Sequence, residues 1–420
     1  MRPSNSVDRL TQQNPMPADT RPSGRVLFVT HNVPRYSGDA AGSFVLRLAV
    51  ALRDAGMSVD ILAPGSETQS GTDVIEGIQI ERVRYAAPHR MTLAYSGRMA
   101  EDVKAGWGAR LALTGLLFHL RQRVRARIRQ AVREGKPYDI VHAHWWFPSG
   151  LAAWSAGVGT SLPVPMVITM HGSDVRLAQS VGASHGIMRR VLMRARVVTA
   201  VSRWLAEAAM RIVPDANVRV GGMPVDTRVF VPPTGGVSRL GVLFVGRLNA
   251  QKGVANLLDA FARIPDTNVP LNIVGDGPDD YLLKAKAIAL GIAHRVTWYG
   301  ALKQPELVPL YQNTAVVAMP SREEGLGLVA VEAQLCGSPV VAYNSGGLPD
   351  VVRPEAGGTL VEAGNIDALS AALSQFSSDT PESNARAHAS GAAARAAMLS
   401  AFSPEAVAAR YIALYNEARA

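Results

Sequence analysis

The sequence predicts an α/β chain built as two doubly wound parallel sheets in tandem, and three observations carry that prediction. Short β-branched runs recur along the chain, each ending in glycine, histidine or another polar residue and each followed by a helical pattern. Strands buried on both faces look like this, and alternation with helices is what parallel pairing requires. A Pro- and Gly-rich segment, VFVPPTGGVSRLG, divides the runs into two series and reads as a linker. The 420 residues, 48% of them hydrophobic, are enough for two separate cores.

The opening MRPSNSVDRLTQQNPMPADTRPSG has no apolar stretch of the kind a secretory signal requires, and residues 1–23 are expected to form a disordered leader. The first series is VLFVTH (26–31), VDILAP (59–64), DIVHAH (139–144), MVITMHG (166–172), VVTAVS (197–202) and VRVGGMP (218–224), which places a Rossmann-like domain over 24–230. The second is VLFVG (242–246), LNIVGDG (271–277), VTWYG (296–300), VVAMPS (316–321) and VVAY (340–343), which places another over 231–400. The final PEAVAARYIALYNEARA starts after a Ser-Pro, a favoured helix start, and residues 401–420 are expected to pack back towards the first domain.

The net charge of +9, from Lys+Arg 43 against Asp+Glu 34, suggests an anionic partner without naming it. Much of the excess is local: RQRVRARIRQAVREG carries Arg121, Arg123, Arg125, Arg127, Arg129 and Arg133 directly after the apolar LALTGLLF. Such a helix either lies on an acidic membrane surface or presents a solvated face while covering a sheet. No apolar run reaches bilayer-spanning length. The only cysteine, Cys336, excludes an internal disulfide and a cysteine metal cluster, and reads as a buried thiol in a reducing compartment.

Open parallel sheets bind ligands beyond the carboxyl ends of their strands. Three strands of the first series end in histidine there, His31, His144 and His171. One alone would read as structural, but three at one edge favour a site that binds hydroxyl or phosphate groups or moves a proton. No paired carboxylate with a ligand spacing accompanies them, so no metal is expected. HGSDV adds Ser173 and Asp174, either as a helix cap or as a polar cluster facing an acceptor. The first loop, HNVPRYSGDAAGSF, lacks the G-x-G-x-x-G of dinucleotide folds, and no cofactor is expected. Gly38 and Gly42 would still admit a ligand close to the backbone.

The second series is more specific. Arg247 and, five residues later, Lys252 followed by Gly253 stand after its first strand. With EGLG and NSGGLPD they fit a diphosphate, held by two cations and by N–H groups at helix starts. Gly325 and Gly327 open a helix expected from Leu328 to Leu335, and Gly346 and Gly347 turn the chain after VVAY into a second helix start. Glu324 lies in the loop before the first of these helices, and Glu332 lies within it on the stripe that should face a core. A carboxylate there is costly unless paired, and carboxylates accept hydrogen bonds from vicinal hydroxyls. A diphosphate with hydroxylated rings on both sides is a nucleotide sugar.

PSREEGLGLVAVEA, in which seven residues separate Glu324 from Glu332, together with GRLNAQKG and VGDGP, closely resembles the donor-binding motifs of the retaining GT-B glycosyltransferases, family four. The first half resembles a subgroup of that family through GDAAGSFVLRLAVAL, HAHWWFPSGLAA and MHGSDV, so the likeness runs from Val26 to the C-terminus. The resemblance implies two domains facing across a cleft and transfer of a sugar from a nucleoside diphosphate sugar to an acceptor, with retention and without metal or enzyme nucleophile. It implies that Glu324 binds the donor sugar, Glu332 the ribose, and Arg247 and Lys252 the diphosphate leaving group. Gly325, Leu326, Gly327 and Leu328 would hold sugar and phosphate through their amides, Asp276 and Gly277 would lie near the nucleotide, and Gly42 would lie in the first loop beside the phosphate. His144 or His171 would position hydroxyls.

The implied setting is cytoplasmic, peripheral on the inner face of the cell membrane, with a lipid-linked or glycan acceptor for polysaccharide or glycolipid synthesis and no nucleic acid. Two departures stand out: Gly38-Asp39 replaces the usual Gly-Gly pair of the first loop, and Gly222-Met223-Pro224-Val225-Asp226 replaces the usual Asn-Gly-Val-Asp. A sugar-nucleotide epimerase of the same architecture and an inactive nucleotide-sugar-binding scaffold are the alternatives. The scaffold would predict loss of Glu324 or of the cations, and all are present.

Overall fold

A computed structural model of the protein describes residues 24–420 apart from 40, 96–98, 236 and 378–379, so the leader lies outside the described residues. The first half forms strands β1 (Arg25–Val29), β2 (Ser58–Pro64), β3 (Gly71–Ile75), β4 (Ile78–Val83), β5 (Ile140–His144), β6 (Met166–Met170), β7 (Val197–Ala200) and β8 (Val218–Val220). They make one sheet in the spatial order β3, β4, β2, β1, β5, β6, β7, β8. The second half adds β9 (Val242–Val245), β10 (Leu271–Val274), β11 (Val296–Gly300), β12 (Val316–Met319), β13 (Val340–Tyr343) and β14 (Thr359–Val361), in the order β11, β10, β9, β12, β13, β14. All eleven expected runs form strands. The central ones are buried on both faces, which is why their sequences read as continuous β-branched runs rather than as alternating ones.

Three strands were not anticipated. β3 and β4 pair antiparallel and form a hairpin at the edge of an otherwise parallel sheet. Its turn is Glu76-Gly77, with φ of 51° and 76°, the pair of positive values that a two-residue hairpin turn needs. β14 is only three residues long and half-buried, too short to leave a periodic signal.

The register aligns the functional edge. Val29 of β1 lies beside Ala143 of β5, and His144 of β5 lies beside Thr169 of β6, so the residues that follow these strands share one rim of the sheet. The last helix, Pro404–Arg419, begins at Ser403, whose hydroxyl accepts the Ala406 N–H at 3.3 Å. It buries Tyr411 and Tyr415 against the first sheet and carries Glu417 to an ion pair with Arg219. The Pro/Gly-rich segment between the sheets is more than a connector. Arg239 within it is 2% exposed and donates to the carbonyls of Tyr311, Thr314 and Cys336 and to the Ser338 hydroxyl. Four oxygen acceptors, none of them a carboxylate, meet the two terminal nitrogens of this buried guanidinium, while its Nε is buried without a partner among the described residues.

Candidate active site

The carboxyl ends of the two sheets face each other across a cleft of about 570 Å³. Its wall includes His171, Arg247, Lys252, Glu324, Gly325, Leu326, Gly327 and Leu328, so eight residues singled out from the sequence meet in one place. Each arrives by a local device. Lys252 ends a short 3-10 turn capped by Asn249, whose side-chain oxygen accepts the Lys252 N–H at 3.2 Å. Gly253, at φ 70°, then turns the chain into the helix Val254–Phe261, and a Cβ there would sit 2.1 Å from the Pro320 carbonyl oxygen.

Glu324 follows Glu323, a non-glycine residue held at φ 56°, and such a residue is kept in place only by its surroundings. Here the Glu323 N–H donates to Ser345 Oγ at 3.2 Å, and its carbonyl accepts from Gln251 and from Arg176, both at 3.2 Å. The twist delivers the Glu324 carboxylate to Lys252 Nζ in an ion pair, with 15% and 22% of the two side chains exposed. Gly327, at φ 90°, opens the helix Leu328–Leu335 with no side-chain cap. The Ala330 N–H is already taken by the Gly327 carbonyl at 2.9 Å. Leu328 and Val329, both on the cleft wall, occupy the first turn, where N–H groups have no acceptor within the helix. A cation, a carboxylate and a helix start thus share one wall, with Arg247 exposed beside them.

Glycines 346 and 347 are placed differently from expectation. They do not line the cleft but back the Glu324 loop: the Gly347 N–H donates to the Glu324 carbonyl at 2.7 Å, and a Cβ on Gly346 would lie 2.5 Å from the Glu324 backbone nitrogen. The helix they open, Leu348–Val351, has only four residues. Their part is to hold the loop that presents Glu324.

Glu332 also stands off the cleft wall, 6% exposed, with Tyr311 Oη donating to its Oε2 at 3.3 Å. Burial pushes its carboxyl up to about 7, a rise that Arg47 and the tyrosine hydrogen bond only partly oppose. Asp276 is exposed and its carbonyl accepts the Leu248 N–H at 2.7 Å, while a Cβ on Gly277 would fall 2.2 Å from the Leu248 carbonyl oxygen. Both belong to the loop behind Asn249 rather than to the cleft wall. Gly42, at φ 65°, caps the helix Ser43–Asp54 against the Asn32 carbonyl and brings Phe44 to the cleft.

The histidines form a stack. His144 Nδ1 lies 3.1 Å from His171 Nε2, and His142, two residues back on the same face of β5, lies 4.2 Å from His144 between ring centres. His171 alone of these reaches the cleft. Burial holds His144 and His171 well below the usual histidine range, so both are neutral near pH 7. Trp145, at φ 67°, packs its ring 4.2 Å from His31 and 4.3 Å from His171. His31 is thus a neighbour of the site through Trp145 rather than a member of its wall.

Asp174 neither caps its helix through its own side chain nor faces the cleft. It is buried, and it accepts the N–H groups of Trp146, His171 and Gly172 at 3.0, 3.2 and 3.0 Å, fixing the two strand ends to each other. Sequence reasoning missed His142, whose Nδ1 lies 2.7 Å from Tyr415 Oη and whose Nε2 lies 2.7 Å from Thr169 Oγ1. It also missed Arg176, a polar residue of the cleft wall with no motif of its own, and did not single out Asn249 and Gln251 within GRLNAQKG, which the structure places on the same wall. Among the described residues no cluster of three or more His, Cys, Asp or Glu is arranged to hold a metal ion.

Known proteins resemble the chain in sequence and in fold. Residues 238–395 match the family described as glycosyl transferases group 1, and residues 40–221 match the glycosyl transferase 4-like domain. The chain is 32% identical over 357 residues to a D-inositol 3-phosphate glycosyltransferase of Arthrobacter sp. (strain FB24), covering 78% of this chain and 79% of that one. Its fold matches a sucrose-phosphate synthase from Thermosynechococcus elongatus with a TM-score of 0.74 at 23% identity, over 93% of this chain and 98% of the other. An Anabaena protein, HepE, solved with UDP and glucose, matches with a TM-score of 0.63 at 19% identity, over 94% and 99%. Two sheets facing across a cleft, motifs in both halves and a relative aligned over most of both chains lead to one conclusion: the chain belongs to the glycosyl transferases group 1 family, with the GT-B fold.

Proposed function

We propose that the cleft binds a nucleoside diphosphate sugar with its diphosphate against Arg247, Lys252 and the start of the helix Leu328–Leu335, and its sugar against Glu324. The enzyme is a glycosyltransferase, transferring a sugar from such a donor to an acceptor. The observation that carries the site assignment is the Lys252–Glu324 ion pair on the cleft wall beside the Gly327 helix start. The departing diphosphate gains negative charge as the glycosidic bond breaks, and fixed positive groups that meet that charge lower the barrier. Lys252 and Arg247 supply point charges, and the first-turn amides supply oriented dipoles. Glu324 competes with phosphate for Lys252 and, once phosphate takes the lysine, is released to accept hydroxyls of the sugar.

His171, neutral and supported by His144, offers a hydrogen bond to an acceptor or donor hydroxyl without adding charge. The leaving phosphate takes the acceptor proton on the same face, which retains the anomeric configuration. Glu332 and the pair Asp276 and Gly277 stand off the cleft wall, and their roles at the ribose and at the nucleotide end rest on the family resemblance. The acceptor is lipid-linked or a glycan, and the enzyme works at the inner face of the cell membrane in the synthesis of cell-surface polysaccharide or glycolipid.

Substitution tests the roles. Glu324→Ala removes turnover but leaves nucleoside diphosphate binding intact or tighter, because it frees Lys252. Lys252→Ala lowers kcat by roughly 10²-fold or more, the size expected for one lost charge-stabilising contact, and weakens nucleoside diphosphate binding. Thermal shift with uridine, guanosine and adenosine diphosphates reads the binding arm, since a ligand raises apparent stability by mass action. Equal loss of binding in both variants contradicts the division of labour.

A further inference from the structure

The 27-residue helix Trp107–Arg133 contains seven arginines and no carboxylate. The structure divides them. Arg121 donates to the Ser155 carbonyl, Arg123 pairs with Glu81 and Arg127 with Asp60, so these three bind the helix to the sheet beneath it. The buried stripe Ala112, Leu116, Leu120, Val124 and Ile128 completes that inner side. The opposite side carries Trp107, Leu111 and Phe118, which are 77%, 62% and 51% exposed. At about 100° per residue these three fall within an arc of ~40°, turned away from Ala112 and Leu116. The same face continues with Arg125, Arg129 and Arg133, and the last two are exposed and form no ion pair with a described residue. An apolar band with an aromatic end, running into unpaired cations, is the pattern of a helix that lies in a membrane interface.

We propose that this outward face docks the enzyme on an anionic lipid bilayer, Trp107, Leu111 and Phe118 entering the headgroup boundary while Arg129 and Arg133 meet acidic lipid. Charge complementarity selects the occupant: an anionic surface matches a face that has cations and no carboxylate on its helix. Continuity with the cleft gives the docking a purpose. The preceding helix, Met99–Ala105, ends at Gly106 immediately before Trp107, and its Glu101 stands on the cleft wall. A headgroup entering the cleft past Glu101 would keep its lipid tail in the bilayer under the adjoining helix. No described helix is long and apolar enough to cross a membrane. The inference rests on the proposed transfer to a lipid-linked acceptor, and it differs from the sequence expectation in excluding Arg121, Arg123 and Arg127 from the contact.

The test is co-sedimentation of the full chain with phosphatidylcholine vesicles, with and without phosphatidylserine, while thermal shift with nucleoside diphosphates on the same samples reports the transferase reading separately. Wild type is expected to sediment with the phosphatidylserine vesicles and far less with the neutral ones. Arg129→Glu with Arg133→Glu should weaken that binding about tenfold or more, as each basic residue near the surface contributes roughly a factor of five. Leu111→Ser with Phe118→Ser should lose it too, with nucleoside diphosphate shifts unchanged in both variants. Wild type that stays in solution with anionic vesicles overturns the inference. So does sensitivity to the arginines alone with none to Leu111 and Phe118, which would mean electrostatic adsorption without entry of the apolar band into the headgroup boundary.

Discussion

Glu332 is the residue whose chemistry the structure sharpens most. Its carboxyl is buried and titrates near 7 in the folded chain, against an ordinary value near 4.5. Between these values the folded state binds the proton that the unfolded state has lost, so stability falls as pH rises from about 4.5 to about 7 and levels off above. The span corresponds to about 3 kcal/mol. Urea unfolding at pH 5 and pH 8 should show that loss in wild type, and Glu332→Gln should reduce it by most of that amount. An unchanged pH dependence in the glutamine variant would mean that the carboxylate already has a charged partner. Tyr311→Phe removes the hydroxyl that donates to Glu332 and should raise the titration midpoint further. The pattern of the sequence showed that this glutamate faced inward, but not that Tyr311 would meet it, because the two stand on different helices and come together only by packing.

At the scale of elements, the start of the helix Leu328–Leu335 depends on Gly327. It sits at φ 90°, and a Cβ would approach Leu348 Cδ2 to 2.8 Å, so Gly327→Ala should cost about 1–3 kcal/mol of stability and also weaken diphosphate binding. A thermal melt with and without nucleoside diphosphate separates the two effects. The glycines and charges of this loop were legible in the sequence because local turn chemistry and strand-end position dictate them. Gly346 and Gly347 look the same in sequence, yet they brace the Glu324 loop, since only the packing of the loop after β13 decides which glycine meets ligand and which meets backbone. The final helix illustrates the same limit. Its pattern announced a helix, but Tyr411 and Tyr415 gained partners only when it folded back onto β5 and β6, where Tyr415 meets His142. Tyr415→Phe leaves a buried imidazole nitrogen without its partner. We expect a loss of about 1–3 kcal/mol in denaturant unfolding, with a smaller effect on donor binding, because His142 is one ring removed from His144.

The whole molecule is two sheets joined by the connecting segment, by the last helix folding back onto the first sheet, and by a few contacts across the cleft. Asp350 accepts the Arg203 N–H at 2.5 Å and pairs with its guanidinium at 3.2 Å, Arg176 reaches the Glu323 carbonyl, and a Cβ on Gly325 would lie 2.9 Å from the His171 carbonyl oxygen. Arg203 is 74% exposed, so the ion pair itself is weak, and the backbone hydrogen bond carries more of the link. Asp350→Ala should therefore leave each half folded and joined through the last helix while widening the cleft, seen as a slightly larger radius of gyration in X-ray scattering that a nucleoside diphosphate partly reverses. The sequence revealed the two series of strands and the motifs at their ends, whereas contacts between the halves involve residues of no distinctive type. The central claim is that Glu324 and Lys252 divide the work of one nucleotide-sugar site. The most direct measurement incubates wild type, Glu324→Ala and Lys252→Ala with a panel of nucleotide sugars and follows release of free nucleoside diphosphate. Wild type should release it slowly from one donor, and Glu324→Ala should release none while still binding the product. Release by Glu324→Ala at the wild-type rate, or no release by wild type from any donor, would contradict the account.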